Sequence, residues 1–490
     1  MLKNSFSVMV FTSISRVLGL IRTVLIAYYF GAGMKTDAYF SSYKIANFFR
    51  QLFGEGALGA ALIPTYNEKE NAMGKDEAKV LIFSVLNFLF IFLVILSLVT
   101  IFFSTEIIEY TVKGYSIETK LLAIKLLRIM SFYILFIGIS GTISVLLNNF
   151  NSFKTPAFMP IMFNISIISS ILFFHKKYGI IALAYGVLIG GILELMVVLP
   201  IFCSKIKNYK IKIEFKDPYF KKIFKLMAPM LLGIFARQIN TIIDQFFASY
   251  LVKGSVTALE NATRIYGLPL GIFAISITNV LFPVLSKNME KNDYKGAKFE
   301  MEKSLNFVSF LIIPSIFILT FYSRDVVKLL LGYGEFSKNE IINLTSESLF
   351  YYSIGLLFYS WIHIISRGFY SKKNTKRPVA YSIISISINI TLNYLLVGIM
   401  QHRGLALSTS IASMFNFILL YVSFNKRYIK LDTKKISKFI LKTSIVSFIA
   451  LFFTYKIKII ILKLIAFLFV YFIFFLRKIM KEKVNFFTNL

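Results

Sequence analysis

Apolar residues in this chain gather in blocks about 18–25 long, separated by short polar stretches. Such a block, wound as a helix, crosses a hydrocarbon layer of ~30 Å. In lipid every backbone N–H and C=O must bond internally, so the blocks predict helices. Spans are expected near 5–30, 37–66, 80–103, 121–148, 157–174, 180–203, 222–250, 258–286, 300–322, 343–370, 379–400, 405–424, 437–455 and 458–477. The block 80–103 holds no charge at all. The fold class that follows is an all-α integral membrane protein with about 14 transmembrane helices.

Composition agrees. The 490 residues are 57% hydrophobic and 16% charged, where a soluble chain carries about 25% charged residues. The mean hydropathy is +0.71. A net charge of +31 could suggest nucleic acid, but its placement argues against that partner. Lys and Arg concentrate in alternate connecting stretches, including 205–225, 287–303, 372–377, 426–442 and 477–483, with Lys176 and Lys177 a minor exception. That alternation is the positive-inside pattern and puts both termini in the cytoplasm. The single cysteine, Cys203, excludes an internal disulfide, and the three histidines make no metal-ligand spacing. The first block is long, holds Arg16 and Arg22, and lacks a small-residue cleavage site, so it is expected to remain as the first span.

An internal repeat is visible. Pro64 closes the second span after Leu58-Gly-Ala-Ala-Leu-Ile, and Pro283 closes the eighth after Ile277-Thr-Asn-Val-Leu-Phe. Phe153-Lys-Thr-Pro156 enters span five as Thr375-Lys-Arg-Pro378 enters span eleven. Gly179 opens span six as Gly404 opens span twelve. Six spans separate each pair, and an even number keeps the halves the same way up. Two six-helix lobes, 1–204 and 205–428, are therefore expected, with 429–490 adding two more helices. Chance likeness among apolar segments is the alternative, weakened by three matches in order.

Charge inside a span costs a few kcal/mol or more unless it faces protein or water. The exceptions singled out lie in spans one, two, seven and eight. Span one has Arg16 and Arg22 around Gly19, on different faces unless the helix bends there. Span two carries Asp37, Lys44, Gln51 and Glu55 as one polar stripe, with Arg50 elsewhere on the helix. Span eight begins with Glu260, Asn261 and Arg264 and is interrupted by Pro269 and Gly271. With two halves face to face, Arg16, Arg22, Arg50 and Arg264 are expected to point into a shared aqueous cavity. Guanidinium groups grip phosphate through paired hydrogen bonds, so several suit a diphosphate. Asp37 and Glu55 would temper the positive field. Some of these, Arg22 and Lys44 more than Arg16, Arg50 and Arg264, are open to a reading as interface anchors or snorkelling side chains.

A second constellation comprises Asp244 in span seven, Asn389 and Asn393 one turn apart in span eleven, and Thr409 in span twelve. With the Leu405 carbonyl these oxygens suit Na⁺. An ordinary interhelical hydrogen-bond cluster is the other reading. Spans thirteen and fourteen hold no acid and are rich in Ile, Leu and Phe, which suits either a lipid-tail groove or a plain anchor.

Ser15-Arg-Val-Leu-Gly-Leu-Ile-Arg22, then Phe30-Gly-Ala-Gly-Met-Lys-Thr-Asp37 and Asn47-Phe-Phe-Arg50-Gln-Leu-Phe-Gly-Glu55, resemble the MurJ (MviN) family of lipid II flippases. The likeness returns at Pro156-Ala-Phe-Met-Pro-Ile-Met-Phe-Asn, Leu281-Phe-Pro-Val-Leu-Ser-Lys287, Gly332-Tyr-Gly-Glu-Phe and Gly368-Phe-Tyr-Ser-Lys. The resemblance implies the multidrug/oligosaccharidyl-lipid/polysaccharide exporter fold. It implies carriage of an undecaprenyl-diphosphate-linked peptidoglycan precursor from the inner to the outer leaflet of the bacterial cytoplasmic membrane. It also places the family's cavity arginines and acid on Arg16, Arg22, Arg50, Arg264 and Asp37, and the Na⁺ site of some members on Asp244, Asn389, Asn393 and Thr409. A monomer is expected, in contact with membrane lipids and with cell-wall synthesis or division proteins as candidate partners, and with no cofactor beyond Na⁺ as a candidate coupling ion. The rivals are an exporter of another lipid-linked oligosaccharide, a cation-coupled drug exporter, whose cavity should hold acids, and a polyprenyl-phosphate enzyme, whose clustered Asp or His is missing.

Overall fold

The computed structural model describes residues 2–53 and 57–481. Residues 54–56, and with them Glu55, lie outside the described residues. The chain divides into two compact units, one of Met1–Thr257 with Tyr333–Phe336, the other of Ala258–Gly332 with Ser337–Leu490.

The first unit holds α1 (Leu2–Phe30), α2 (Met34–Phe53), α3 (Ala57–Met73), α4 (Lys75–Phe102), α5 (Ser104–Thr111), α6 (Ile117–Met130), α7 (Tyr133–Asn149), α8 (Lys154–Tyr178), α9 (Ile181–Lys205) and α10 (Pro218–Ser249). Helices α8 and α9 form a tight antiparallel pair; α1 packs on α8, α7 on α9, and α2 on α6 and α7. The core of α3, α4 and α7 is built from Leu62, Leu81, Ile82, Leu93 and Leu146, all fully buried. Helix α4 starts with Asp76 and Glu77, whose charges complement the helix N-terminus. Helix α10 starts at Pro218, where a missing N–H costs nothing, behind Asp217, which caps the Tyr219 N–H. This seventh span packs on α3 and α2.

The second unit holds α11 (Ser255–Pro269), whose first turn belongs to the first unit, and α12 (Ser276–Glu290), α13 (Tyr294–Phe321), α14 (Ser323–Leu331), α15 (Asn339–Ile354), α16 (Leu356–Ser371), α17 (Lys376–Met400), α18 (His402–Arg427), α19 (Thr433–Thr454) and α20 (Ile460–Lys481). A π-helical turn, Leu270–Ile275, joins α11 to α12. It follows Pro269, which has no N–H to give the ladder. Helices α17 and α18 pair as α8 and α9 do, and α19 packs on α13. Helix α20 is held by Tyr471, whose hydroxyl donates to the Phe310 carbonyl at 2.6 Å, and by the Lys463–Asp325 pair at 2.8 Å.

Each expected span is a helix or a broken helix. Among the described residues nine helices are long and apolar enough to cross a bilayer, or eleven if the bent pairs α6–α7 and α15–α16 each count once. The remaining three expected spans are α2 with α3, α10, and α20. The chain is thus a multi-pass membrane protein.

The backbone repeats along the sequence. The fourth span of each half is broken, by 42° at α6–α7 and by 43° at α15–α16. A short helix, α5 or α14, precedes each broken span. Left-handed residues recur at matching joints: Gly74 and Asn292, Asn151 and Lys373, Gly179 and Gln401. Pro64 and Pro283 lie inside α3 and α12. These features recur along the sequence in the order expected of a repeat of six spans.

Candidate functional site

The polar residues of span two are positioned by a sharp joint before it. Gly31 has φ +64°, and a side chain there would meet the Glu335 carbonyl at 3.0 Å. Asp37, in the first turn of α2, is buried. Its Oδ2 accepts the Gly254 N–H at 2.6 Å, and its Oδ1 accepts the Thr257 N–H at 2.8 Å and hydroxyl at 2.6 Å. The carboxylate therefore caps the first turn of α11, whose leading N–H groups have no partner within the helix. Gly254, at φ +97°, brings its backbone against Ala32, where a Cβ would stand 3.1 Å from the carbonyl oxygen. The Tyr115 hydroxyl lies 2.8 Å from Ser41 Oγ and donates to the Asp37 carbonyl at 3.3 Å. Burial first, and the Asp37 charge second, hold this phenol well above its ordinary pKa. Lys44, two turns along α2, is a cation whose field reaches Asp37.

Span one meets α8 through ring contacts, Phe11 with Phe158 at 5.5 Å and Tyr29 with His175 at 4.2 Å, and through Asn164. Asn164 Nδ2 donates to the Ser15 carbonyl at 3.2 Å. Arg16 is off this contact face and exposed. Arg22 is half-buried, its guanidinium carbon 5.6 Å from the centroid of Phe163. The same ring takes Tyr43 at 6.5 Å and Tyr133 at 5.6 Å. Arg50, Glu194 and Tyr43 all act on the Tyr133 hydroxyl. The fold thus brings Arg22 and Arg50 to one aromatic cluster, commits Asp37 to a backbone cap, and leaves Arg16 exposed.

In the second unit Arg264 is partly buried, and its Nε donates to Glu260 Oε1, one turn earlier, at 3.2 Å. Asn393 Nδ2 donates to Asn389 Oδ1 at 3.1 Å, Asn389 Nδ2 to Thr409 Oγ1 at 3.2 Å, and the Thr409 hydroxyl to the Leu405 carbonyl at 2.9 Å. Four of the five residues considered for Na⁺ therefore form one hydrogen-bonded chain joining α17 and α18. Their oxygens are of the hard type Na⁺ prefers, and here the Asn389, Thr409 and Leu405 oxygens accept from the amide and hydroxyl donors of the same chain. Asp244 is half-buried on α10 in the first unit, where Asn240 Nδ2 donates to its Oδ2 at 3.3 Å.

The family model described as "Lipid II flippase MurJ" matches residues 26–477. The chain belongs to the MurJ family. It is 38% identical over 429 residues to the probable lipid II flippase MurJ of Buchnera aphidicola subsp. Acyrthosiphon pisum, covering 86% of this chain and 83% of that one. It is 31% identical to the lipid II flippase MurJ of Burkholderia cenocepacia, over 85% of this chain and 82% of the relative. Among solved structures, a lipid II flippase MurJ in an inward closed conformation superposes with a TM-score of 0.86 at 33% identity, over 97% of this chain and 99% of that one. An inward-facing multidrug transporter of the MATE family, in the MOP superfamily, superposes at 0.69 with 13% identity, covering 88% of this chain and 99% of that one, a likeness of fold.

Glu194 is a further charged residue inside a span. It is buried in the middle of α9, inside Leu193-Glu-Leu195, and belongs to the Tyr133 group. A lone carboxylate in an apolar block was signal enough to find it. Also unforeseen was the Lys69–Asp217 pair, 2.7 Å apart with side chains only 3% and 8% exposed, which ties the end of α3 to the start of α10.

Proposed function

We propose that this protein is a lipid II flippase, moving undecaprenyl-diphosphate-linked peptidoglycan precursor from the inner to the outer leaflet of the bacterial cytoplasmic membrane. The observation that carries this is the match to a lipid II flippase structure at 33% identity over 97% of the chain. Only the head group needs shelter in such a transfer, because a sugar diphosphate in hydrocarbon meets a prohibitive desolvation cost. Arg16, Arg22, Arg50 and Arg264 are the groups suited to the diphosphate, with Asp37 and Glu55 tempering their field. The polyprenyl tail stays in lipid along α19 and α20, whose exposed faces carry Phe448, Phe452, Phe453, Ile461 and Phe469.

The repeated halves, 1–204 and 205–428, alternate access to the two sides, with residues 429–490 outside the repeat. Na⁺ at Asp244, Asn389, Asn393, Leu405 and Thr409, or the membrane potential, resets the empty carrier. Both termini face the cytoplasm, following the basic stretches. The protein works as a monomer that carries its cargo chemically unchanged, alongside cell-wall synthesis proteins. Arginine-rich rather than acid-rich spans favour this cargo over a cationic drug.

The test is rescue of cells depleted of their own lipid II flippase, with lipid II exposure on the outer leaflet as readout. The wild-type chain is expected to restore exposure, and Arg16→Ala and Arg264→Ala to abolish it at normal protein levels. Failure of the wild type to restore exposure, or full rescue by both variants, counts against the proposal.

A further inference from the structure

The second unit has a basic cavity remote in sequence from the residues assigned to cargo. It has a volume of about 690 Å³ and lies between the first turn of α17 and the last turns of α18. Its lining is Arg377 and Tyr381 from α17, with Ile418, Leu419, Val422, Ser423, Lys426 and Arg427 from α18, and it holds no acid.

Arg377 is fixed in place. Its Nη1 donates to Tyr381 Oη at 3.1 Å and to Ser423 Oγ at 3.3 Å, bridging the two helices. Those bonds use one nitrogen of a fork that carries five N–H donors, so the rest of the guanidinium is available to an anion. Lys426 and Arg427 are exposed and form no ion pair among the described residues. Ile418 and Val422 are 43% and 45% exposed, an apolar wall running from the basic end along α18.

We propose that this cavity binds the phosphodiester head group of an anionic phospholipid, with the first methylenes of its chains along Ile418, Leu419 and Val422. Three features favour a lipid over a free anion. The cations stand at the end of an apolar span, where the charge of a head group sits. The wall beside them is apolar and open, which a dissolved ion does not need. The volume is that of a small-molecule site. Basic pockets between transmembrane helices at the membrane face recognise phospholipid head groups through this chemistry. The site is independent of the identity of the transported cargo.

The test uses the purified full chain in uncharged detergent micelles, with binding followed by native mass spectrometry and by lipid-induced thermal stabilisation. The probes are dioleoyl-phosphatidylglycerol, dioleoyl-phosphatidylcholine and inorganic phosphate. Phosphatidylglycerol is expected to be retained and to raise Tm, at roughly tenfold higher affinity than phosphatidylcholine. Lys426→Gln/Arg427→Gln is expected to weaken that binding about thirtyfold, the scale set by two cations at a membrane face, with the lipid-free Tm unchanged. Arg377→Gln is expected to abolish it; should that variant fold poorly, the exposed double variant decides. Equal retention of both lipids, undiminished phosphatidylglycerol binding by the double variant, or occupation by inorganic phosphate in preference to the lipid would each overturn the proposal.

Discussion

The carboxylate of Asp37 holds Thr257 twice, through its amide at 2.8 Å and its hydroxyl at 2.6 Å, and takes the Gly254 N–H on its other oxygen. A residue in α2 thereby caps a helix more than two hundred positions later. A carboxylate is suited to this because it only accepts, and three donors converge on it.

Removing Asp37 should therefore unravel a local structure as well as a charge. In Asp37→Ala two backbone N–H groups lose their acceptor in a buried place, at a cost of about 1–3 kcal/mol each. Hydrogen exchange of the 254–257 amides is expected to accelerate strongly, with a fall in Tm. Asp37→Asn keeps one acceptor oxygen and should show a smaller change. Unchanged protection in Asp37→Ala would mean that the cap contributes nothing to the segment.

The Phe163 ring joins Arg22 to Tyr43 and Tyr133, so it should set where the Arg22 guanidinium rests. Phe163→Leu removes the π face while keeping apolar bulk. A loss of about 0.5–2 kcal/mol is expected from the cation–π contact. If Arg22 serves the cargo, lipid II exposure should drop several-fold at near-normal expression. A Phe163→Tyr variant keeps the face and should restore it. Leu and Tyr variants that behave alike would show that the ring only fills space.

The spans were legible because lipid permits few alternatives: length, hydropathy and the positive-inside pattern act on whole segments. The breaks in the fourth span of each half were not, because the apolar block runs on unbroken through Ser131-Phe132 and through Gly355. The Arg264–Glu260 pair is within reach of a simple i, i+4 rule applied to the first turns of span eight. Asp37 was singled out as a charge in the wrong place, but its partners depend on tertiary contact that no local pattern encodes. Asn389, Asn393, Leu405 and Thr409 were grouped for their oxygens, and a linked chain is what those oxygens form.

Glu194 of α9 and Arg50 of α2 both act electrostatically on Tyr133 of α7. Charges that act on one group should couple. Single Glu194→Gln and Arg50→Gln variants and the double variant form a cycle, read by denaturation of the purified protein. A coupling energy of about 0.5–3 kcal/mol is expected. Strict additivity would place the two charges in independent surroundings.

Lys69 and Asp217 give the last prediction, and it is one of asymmetry. The pair is 2.7 Å apart and nearly excluded from solvent, so neither charge has water to fall back on. Asp217 has a second duty, accepting the Tyr219 N–H at 2.8 Å as the N-cap of α10. Lys69→Ala leaves the carboxylate one backbone partner; Asp217→Ala leaves a buried ammonium without its anion and a helix without its cap. Breaking a buried pair costs about 3–5 kcal/mol, and losing a cap adds about 1 kcal/mol. Asp217→Ala should therefore lower Tm more than Lys69→Ala, and Lys69→Met, which keeps the stem over the Tyr219 ring without the charge, should be the mildest of the three. Raising the salt concentration should leave this order intact, because a pair this buried is poorly screened. The reverse order would show that the carboxylate stranded by Lys69→Ala, rather than the stranded ammonium and the lost cap, dominates this joint.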